Sequence, residues 1–150
     1  MAIVKQVVGT RTALTSTGFS TLTAATYVAT STYSNVTNQP LDVMVEVTAA
    51  TTNVPAGNLQ VIVFCVASYD NTVFQTGPTS GTAATDEPLL TFLGVLPIAS
   101  ASVTETKSFS VAAGYSGVLP PFFKIVLKND LGVALTSGTI ATAEISSSVI

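Results

Sequence analysis

The sequence predicts an all-β fold: an antiparallel β-sandwich, jelly-roll-like, with an extended N-terminal segment. Three observations favour this fold class. Thr and Ser make up about a quarter of the 150 residues, and the β-branched residues Thr and Val fit strands better than helices. About eight apolar or alternating segments are separated by turn signals roughly every 8 to 12 residues. A long loop and strands that are apolar on both faces favour the jelly-roll arrangement.

The N-terminal region, residues 1–38, is interpreted as an extended arm with strands, and residues 39–150 as the β-sandwich, within a single domain. Val4–Val8 is an apolar stretch that can pair as a strand. Residues 14–29 show some helical spacing of apolar side chains, but their five threonines make a helix costly. We therefore expect extended segments here, and an arm placed to lie on a neighbouring molecule.

The clearest strand is Leu41–Thr48. Its apolar residues alternate with mostly polar ones at a period of two, which is the pattern of a strand with one buried face. The predicted buried face consists of Leu41, Val43, Val45 and Val47.

The next segments predict a turn, a buried strand and a second turn. Thr51–Gly57 contains Asn, Pro and Gly, and indicates a hairpin loop. Leu59–Ser68 contains the continuous apolar run Val61–Ala67, which predicts a strand covered on both faces, either central in a sheet or between subunits. Tyr69–Asn71 ends this strand as a turn, because Asp and Asn side chains bond to their own backbone.

The middle of the chain alternates between loops and strands. Gly77–Pro88 has no apolar periodicity and is predicted to be an exposed loop. Leu89–Leu96 is a second apolar strand. Val103–Val111 alternates apolar or charged residues with Thr and Ser, as an edge or half-exposed strand does. Gly114–Pro121 is rich in turn residues and links this strand to the next.

The C-terminal part predicts a hairpin and a closing strand. Phe123–Lys128 alternates as a strand, and the preceding Phe122 is expected on its opposite face. Asn129–Gly132 carries a strong hairpin signal, which predicts a partner strand at Val133–Thr136. Thr139–Val149 then completes the sheet.

The composition excludes several kinds of chemistry. The chain has no His, no Trp and one Cys, so Ser–His–Asp and Cys–His nucleophiles, internal disulfides and cysteine-cluster metal sites are absent. Five Lys and Arg residues in a chain of net charge −3 argue against nucleic-acid binding. We expect no enzyme, and no catalytic, cofactor-binding or metal-binding residues.

Three short features of the sequence are candidate sites. Asp86-Glu87 is the adjacent carboxylate pair, which could serve a Ca²⁺ site or acid–base chemistry but is expected to be a solvated loop tip. Cys65, inside an apolar run, is expected to be a buried small hydrophobic residue and not a reactive thiol. The sequon Asn35-Val36-Thr37 is interpreted as a chance match.

The apolar runs are too short to cross a membrane. The longest, Val61–Ala67, falls far below the roughly 18 to 20 residues that a spanning helix needs. The start of the chain lacks a signal-peptide pattern. These observations predict synthesis in a cytoplasm and no membrane partner.

Charged residues make up 9% of the chain, against roughly 25% in an average soluble protein. An apolar, weakly charged surface is typical of a protein that is partly covered by other chains. The sequence therefore predicts a homo-oligomer or a subunit of a larger assembly. The alternative is a soluble monomer coated with threonine.

Three segments resemble small structural proteins of tailed-bacteriophage virions. Tyr33–Asp42 (YSNVTNQPLD) is similar to the "S…N.T…LD" lead into a strand in that group. Ala67–Asn71 resembles its "S.DG" turn, with Asn71 where Gly is usual. Leu119–Leu135 (LPPFFKIVLKNDLGVAL) is similar to its "LP..FK.V..N.TG.AL" hairpin.

The resemblance implies a jelly-roll protein on the capsid surface, with the role of a head-decoration or cement protein. Such proteins commonly form trimers and lock neighbouring major capsid subunits together, so the major capsid protein is the implied partner and the virion the implied location. The group supplies no catalytic residues. Two other functions stay open: a tail, neck or receptor-binding component of the virion, and a carbohydrate-binding β-sandwich.

Overall fold

Two antiparallel sheets pack face to face in a computed structural model of the chain, which describes residues 4–149. Eleven strands are formed: β1 (Val4–Val8), β2 (Thr12–Ala13), β3 (Tyr27–Ala29), β4 (Tyr33–Ser34), β5 (Asp42–Ala50), β6 (Gln60–Ser68), β7 (Ser80–Gly81), β8 (Thr91–Pro97), β9 (Thr104–Ser110), β10 (Phe122–Asn129) and β11 (Ser137–Val149). One short helix, α1 (Val111–Gly114), and two 3₁₀ turns, Phe19–Thr21 and Glu87–Leu89, complete the described elements.

The strand order is that of a jelly roll. Sheet A has the order β1-β11-β5-β9, with β2 also paired to β11, and sheet B has the order β7-β3-β10-β6-β8, with β4 also paired to β10. β1 and β2 form one broken strand along β11, and β3 and β4 form another along β10. With each broken strand counted once, successive strands alternate between the sheets, except that β6, β7 and β8 all lie in sheet B. The predicted all-β sandwich is confirmed.

The main core fills the space between the sheets. The alternation predicted for β5 is confirmed at Val43, Val45 and Val47, all fully buried. The exception is Leu41, which lies just before the strand and is exposed. Further members of this core come from β6, β8, β9, β10, the N-terminal segment and the connections between strands, among them Val61, Val63, Cys65, Leu96, Ile98, Phe109, Phe123, Ile125, Leu127, Leu131, Phe19 and Leu22.

A second, smaller core explains why β6 is apolar on both faces. β6 is central in sheet B, between β10 and β8, and Phe64 and Val66 point to the outer face of that sheet. There they pack with Tyr27, Val126 and Leu90. The segment of residues 69–90, which we call the strap, lies over this face: Phe74 packs on it and β7 pairs with β3.

Both predicted hairpins are wrong, for the same physical reason. Thr51–Gly57 joins β5 in sheet A to β6 in sheet B, and Asn129–Gly132 lies between β10 in sheet B and β11 in sheet A. Turn residues reverse the chain equally well within a sheet or across a sandwich, so local sequence does not distinguish the two. Val133–Thr136 is accordingly not a strand, and β11 begins at Ser137.

Other differences are local. The strand predicted for Val103–Val111 ends at Ser110, whose hydroxyl oxygen accepts a hydrogen bond from the Ala113 amide and caps α1. As predicted, β9 is an edge strand, and β1 does pair as a strand. Residues of the N-terminal segment enter both sheets, and Phe19 is buried in the main core.

Candidate interaction surface

One end of the sandwich, together with the strands that project from it, carries most of the exposed large apolar side chains among residues 4–149. β4 and β6 end here, and β5 and β10 begin here. We call it the ribbon end, and its loops are residues 35–41, 69–75 and 115–121. The exposed side chains on these loops are Val36, Leu41, Tyr69, Val73 and Val118. The opposite end exposes Val54, Leu59 and Val103.

Hydrogen bonds hold these loops in place. The Asn35 amide donates to the Pro121 carbonyl at 2.7 Å, which ties the first loop to the third. The Gln75 side-chain oxygen accepts from the Ala67 amide at 2.9 Å and from the Tyr115 hydroxyl at 2.8 Å, which ties the second loop to the third. A surface that is ordered before binding loses less conformational entropy when a partner covers it.

The Asp42 carboxylate anchors the third loop through α1. It accepts hydrogen bonds from the Val43 amide at 2.7 Å, the Ala112 amide at 2.8 Å and the Ser110 hydroxyl at 2.5 Å. The start of β5 is thereby joined to the end of β9 and to α1. This role was missed in the sequence, where Asp42 reads as a polar residue on the solvent face of a strand.

A two-stranded ribbon projects from this end. Beyond Ile145, β11 runs past the start of β5 and is paired with β1, from Ser146 opposite Val7 to Val149 opposite Val4. All five residues of β1 are exposed. Isolated two-stranded ribbons are marginally stable in water, and a free strand edge offers unpaired backbone groups to another chain. The ribbon therefore extends the apolar surface of the loops.

A cleft of about 350 Å³, lined by both apolar and polar groups, opens at the base of the ribbon, between sheet A and β4. It contains Glu144, which lies opposite Val43 in the register and so belongs to the inner face of sheet A. The Glu144 carboxylate accepts hydrogen bonds from the Tyr33 hydroxyl at 2.5 Å and from the Asn38 side-chain amide, at 3.0 Å to each oxygen. Glu144 was missed as a site residue, although it is the lone charged residue after Asp130.

The carboxylate pair Asp86-Glu87 is split by the structure. Asp86 is exposed, but Glu87 is half-buried beneath the strap, where its Oε2 accepts from Lys128 Nζ at 2.7 Å and from the Tyr27 hydroxyl. The expected solvated loop tip is therefore wrong for Glu87. Burial opposes its ionisation, but the Lys128 and Tyr27 hydrogen bonds outweigh that effect and lower the pKa of Glu87. These contacts fasten the strap to sheet B.

The thiol of Cys65 is buried in the main core, as expected. Burial raises its pKa to about 12, so the reactive thiolate is suppressed at neutral pH. The turn at Tyr69–Asn71 is confirmed: Asp70 Oδ1 accepts from the amides of Thr72 and Val73 at 2.8 and 2.9 Å. Asn71 has a φ of 61°, the left-handed conformation that Asn tolerates.

Searches for other kinds of site and for relatives give negative findings. Within residues 4–149, no three His, Cys, Asp or Glu side chains come together as metal ligands. None of the helices described is long and apolar enough to cross a bilayer. No protein-family model matches the sequence, and comparison with curated proteins finds no match.

Proposed function

We propose that this protein is a non-enzymatic structural protein of a bacteriophage virion, a capsid decoration or cement protein that binds the major capsid lattice. It acts as a homo-oligomer, with a trimer favoured. Its ribbon end is the surface that contacts other chains, and the rest of its surface faces solvent.

The observation that carries this proposal is the apolar surface of the ribbon end. Its exposed side chains lie on hydrogen-bonded loops, so their arrangement is fixed before a partner binds. A cement must resist forces that pull capsid subunits apart, and a clamp does so by burying area on two subunits at once, at high effective concentration. A symmetric oligomer repeats these contacts at each lattice point.

Two further observations support a virion role. Jelly rolls are frequent among viral capsid domains. The segments that resemble phage virion proteins, Tyr33–Asp42, Ala67–Asn71 and the start of Leu119–Leu135, all lie at the ribbon end. The resemblance therefore coincides with the candidate surface, although the residues of the core are distributed along the whole chain.

The first test is the number of copies in virions that contain the protein, measured by quantitative mass spectrometry against the major capsid protein. We expect hundreds of copies per particle and immunogold labelling over the whole head. A handful to dozens of copies, labelled at one vertex or along the tail, would assign the protein to the tail or neck and overturn the decoration role.

The second test compares two matched variants. Val118 at the ribbon end and Val54 at the opposite end are 71% and 75% exposed, so Val118→Asp and Val54→Asp add the same charge at equally open sites. We expect Val118→Asp to weaken binding to capsids that lack the protein at least about tenfold, because an unpaired charge is desolvated in the contact. Val54→Asp should bind as the parent does. Equal binding by both variants would contradict the assigned surface.

A further inference from the structure

The cleft at the base of the ribbon has the chemistry of a cation-binding site. Its wall combines hydroxyl, amide and carboxylate groups with a somewhat larger apolar surface, and the residues that line it are Gly9, Thr10, Thr12, Ala13, Leu14, Tyr33, Asn38, Thr142 and Glu144. The volume of about 350 Å³ is at the small end of the range for ligand sites. It fits one extended side chain better than a large cofactor.

The Glu144 carboxylate is the charged group of this cleft. It lies on the inner face of a sheet, where a carboxylate needs partners to offset the loss of water. Its donors, Tyr33 and Asn38, are both neutral. Among residues 4–149, the ion pairs formed are Arg11 with Glu46 and Lys128 with Glu87, so Glu144 makes none.

The geometry leaves one carboxylate oxygen with capacity to spare. Oε1 accepts from both Tyr33 and Asn38, whereas Oε2 accepts from Asn38 alone. A carboxylate oxygen has room for about two donors. The Asn38 side-chain nitrogen lies 3.0 Å from both carboxylate oxygens. It therefore occupies the position from which a guanidinium group would bind both oxygens at once. A single donor of positive charge, reaching Oε2, suits the remaining position better.

The threonines supply further acceptors. The Thr142 hydroxyl donates to the Thr12 carbonyl and the Thr12 hydroxyl donates to the Thr10 carbonyl, each at 3.4 Å. With their hydrogens directed to the backbone, the oxygens of these hydroxyls are left to accept. An ammonium group has three hydrogens to donate, and Leu14 and Ala13 offer apolar surface for the methylene chain behind it.

We propose that this cleft binds the ammonium group of a lysine side chain from a protein partner. The inference rests on the proposed function in one respect, that the partner is a capsid subunit. The charge of Glu144 and the acceptors around it recognise the ammonium, while the apolar ribbon end beside the cleft supplies most of the buried area. The cleft thus fixes the register of docking, and the apolar surface provides the affinity.

The direct test uses the isolated protein and a small probe. Backbone amide NMR shifts of residues around the cleft, such as Gly9 and Glu144, are followed during titration with Nα-acetyl-lysine methylamide. The norleucine analogue, which lacks the ammonium, is the ligand control. We expect saturable shifts with the lysine probe and at least about tenfold weaker binding of the norleucine probe, since the charge-assisted hydrogen bond is lost.

Two isosteric variants identify the carboxylate responsible. Glu144→Gln keeps an oxygen for Tyr33 and Asn38 and removes the charge. Glu46→Gln removes the same charge on the outer face of the same sheet. We expect the first to weaken lysine binding at least about tenfold and the second to leave it unchanged. Equal effects of the two variants, no shifts with the lysine probe, or shifts produced by saccharides in its place would each overturn the proposal.

A capsid-binding measurement separates this inference from the proposed function. If the parent protein binds capsids, Glu144→Gln should weaken that binding and reduce its dependence on salt, and acetylation of capsid lysines should reproduce the effect in the parent. Failure of Glu144→Gln to alter capsid binding would overturn the inference and leave the decoration role standing. Failure of the parent to bind capsids while the NMR titration succeeds would overturn the decoration role and the identity of the partner, but not the lysine site.

Discussion

At the scale of single residues, Asn129 shows how one buried polar side chain organises a connection between the sheets. It is fully buried at the end of β10. Its side-chain amide donates to the carbonyls of Leu22 and Val133 at 2.7 and 2.8 Å, and its oxygen accepts from the Leu131 amide at 3.0 Å. Both the nitrogen and the oxygen of the Asn129 side chain are therefore hydrogen-bonded. The bond to Leu22 joins the turn to the N-terminal segment.

Asn129→Ala should destabilise the protein by about 3 kcal/mol, because it leaves the Val133 carbonyl and the Leu131 amide without these partners in a largely buried region. The Leu22 carbonyl keeps its hydrogen bond from the Leu135 amide. The measurement is the free energy of unfolding from urea denaturation followed by circular dichroism. Thr82→Ala, at an exposed position of the strap, is the control and should change stability by less than about 0.5 kcal/mol. Similar values for the two variants would show that solvent reaches the turn.

At the scale of elements, the strap is attached to the sandwich in two parts. Residues 69–75 are held by the packing of Phe74 and by the hydrogen bonds of Gln75 with Ala67 and Tyr115. The rest of the strap is held by Leu90, by the two-residue strand β7 and by the pair Glu87–Lys128. Beneath it lie Phe64 and other apolar side chains of the second core. If the strap detaches, this outer face of sheet B meets water.

Glu87→Gln should lower stability at neutral pH by about 1 kcal/mol, the scale of a partly exposed ion pair. The pKa of Glu87 is lower in the folded chain than its usual value, so its contribution is present above the unfolded pKa of about 4.3 and is lost as the pH falls through the folded value. The difference between parent and variant should therefore shrink below about pH 4.

The measurement is thermal unfolding of both proteins across this pH range, together with limited proteolysis of the strap. Faster cleavage of the variant at neutral pH, with equal rates for both proteins in acid, is the expected pattern. A difference in stability that stayed constant with pH would mean that the Glu87 carboxylate acts through packing and not through its charge.

Elements were predictable from the sequence where the pattern is local. The period of two in β5 located its buried face, and the continuous apolar run of β6 indicated a strand covered on both sides. Pairing was not predictable, because the turn at Asn129–Gly132 has the same residues whether it closes a hairpin or crosses between sheets. The cleft around Glu144 could not be predicted for a related reason. The partners of Glu144 in this cleft, Tyr33 and Asn38, lie more than a hundred residues earlier in the chain, so no local pattern brings them together.

At the scale of the whole molecule, some of the few charged side chains of the chain are used in contacts inside the fold and not at the open surface. Asp42 and Glu87 are used in internal hydrogen bonds or ion pairs, so still fewer charges remain to keep molecules apart in solution. Hydroxyl groups of Thr and Ser hydrate the surface without repelling a neighbour. The electrostatic repulsion between copies of the chain in solution is therefore weak.

The first and last strands of the jelly roll, β1 and β11, contribute unequally to the stability of the fold. β11 is the last strand described along the chain, yet it lies inside sheet A and pairs with β5, β1 and β2. It also contributes the buried residues Ile140, Ala141 and Thr142. β1 lies at the edge of the same sheet and all of its residues are exposed. Removal of either end breaks the same β1–β11 pairing, but the buried surface that is lost differs greatly.

A chain that ends at Thr136 should therefore fail to fold, whereas a chain that lacks residues 1–8 should unfold cooperatively with a stability within about 1 kcal/mol of the parent, since a projecting two-stranded ribbon adds little. Circular dichroism during heating distinguishes a cooperative transition from its absence.

Because the strands that pair are far apart in sequence, refolding of the chain that lacks residues 1–8 should take milliseconds to seconds, as in other β-sandwiches. Cooperative unfolding of the chain that ends at Thr136 would contradict the prediction made for that chain. It would mean that β5 and sheet B fold stably without β11.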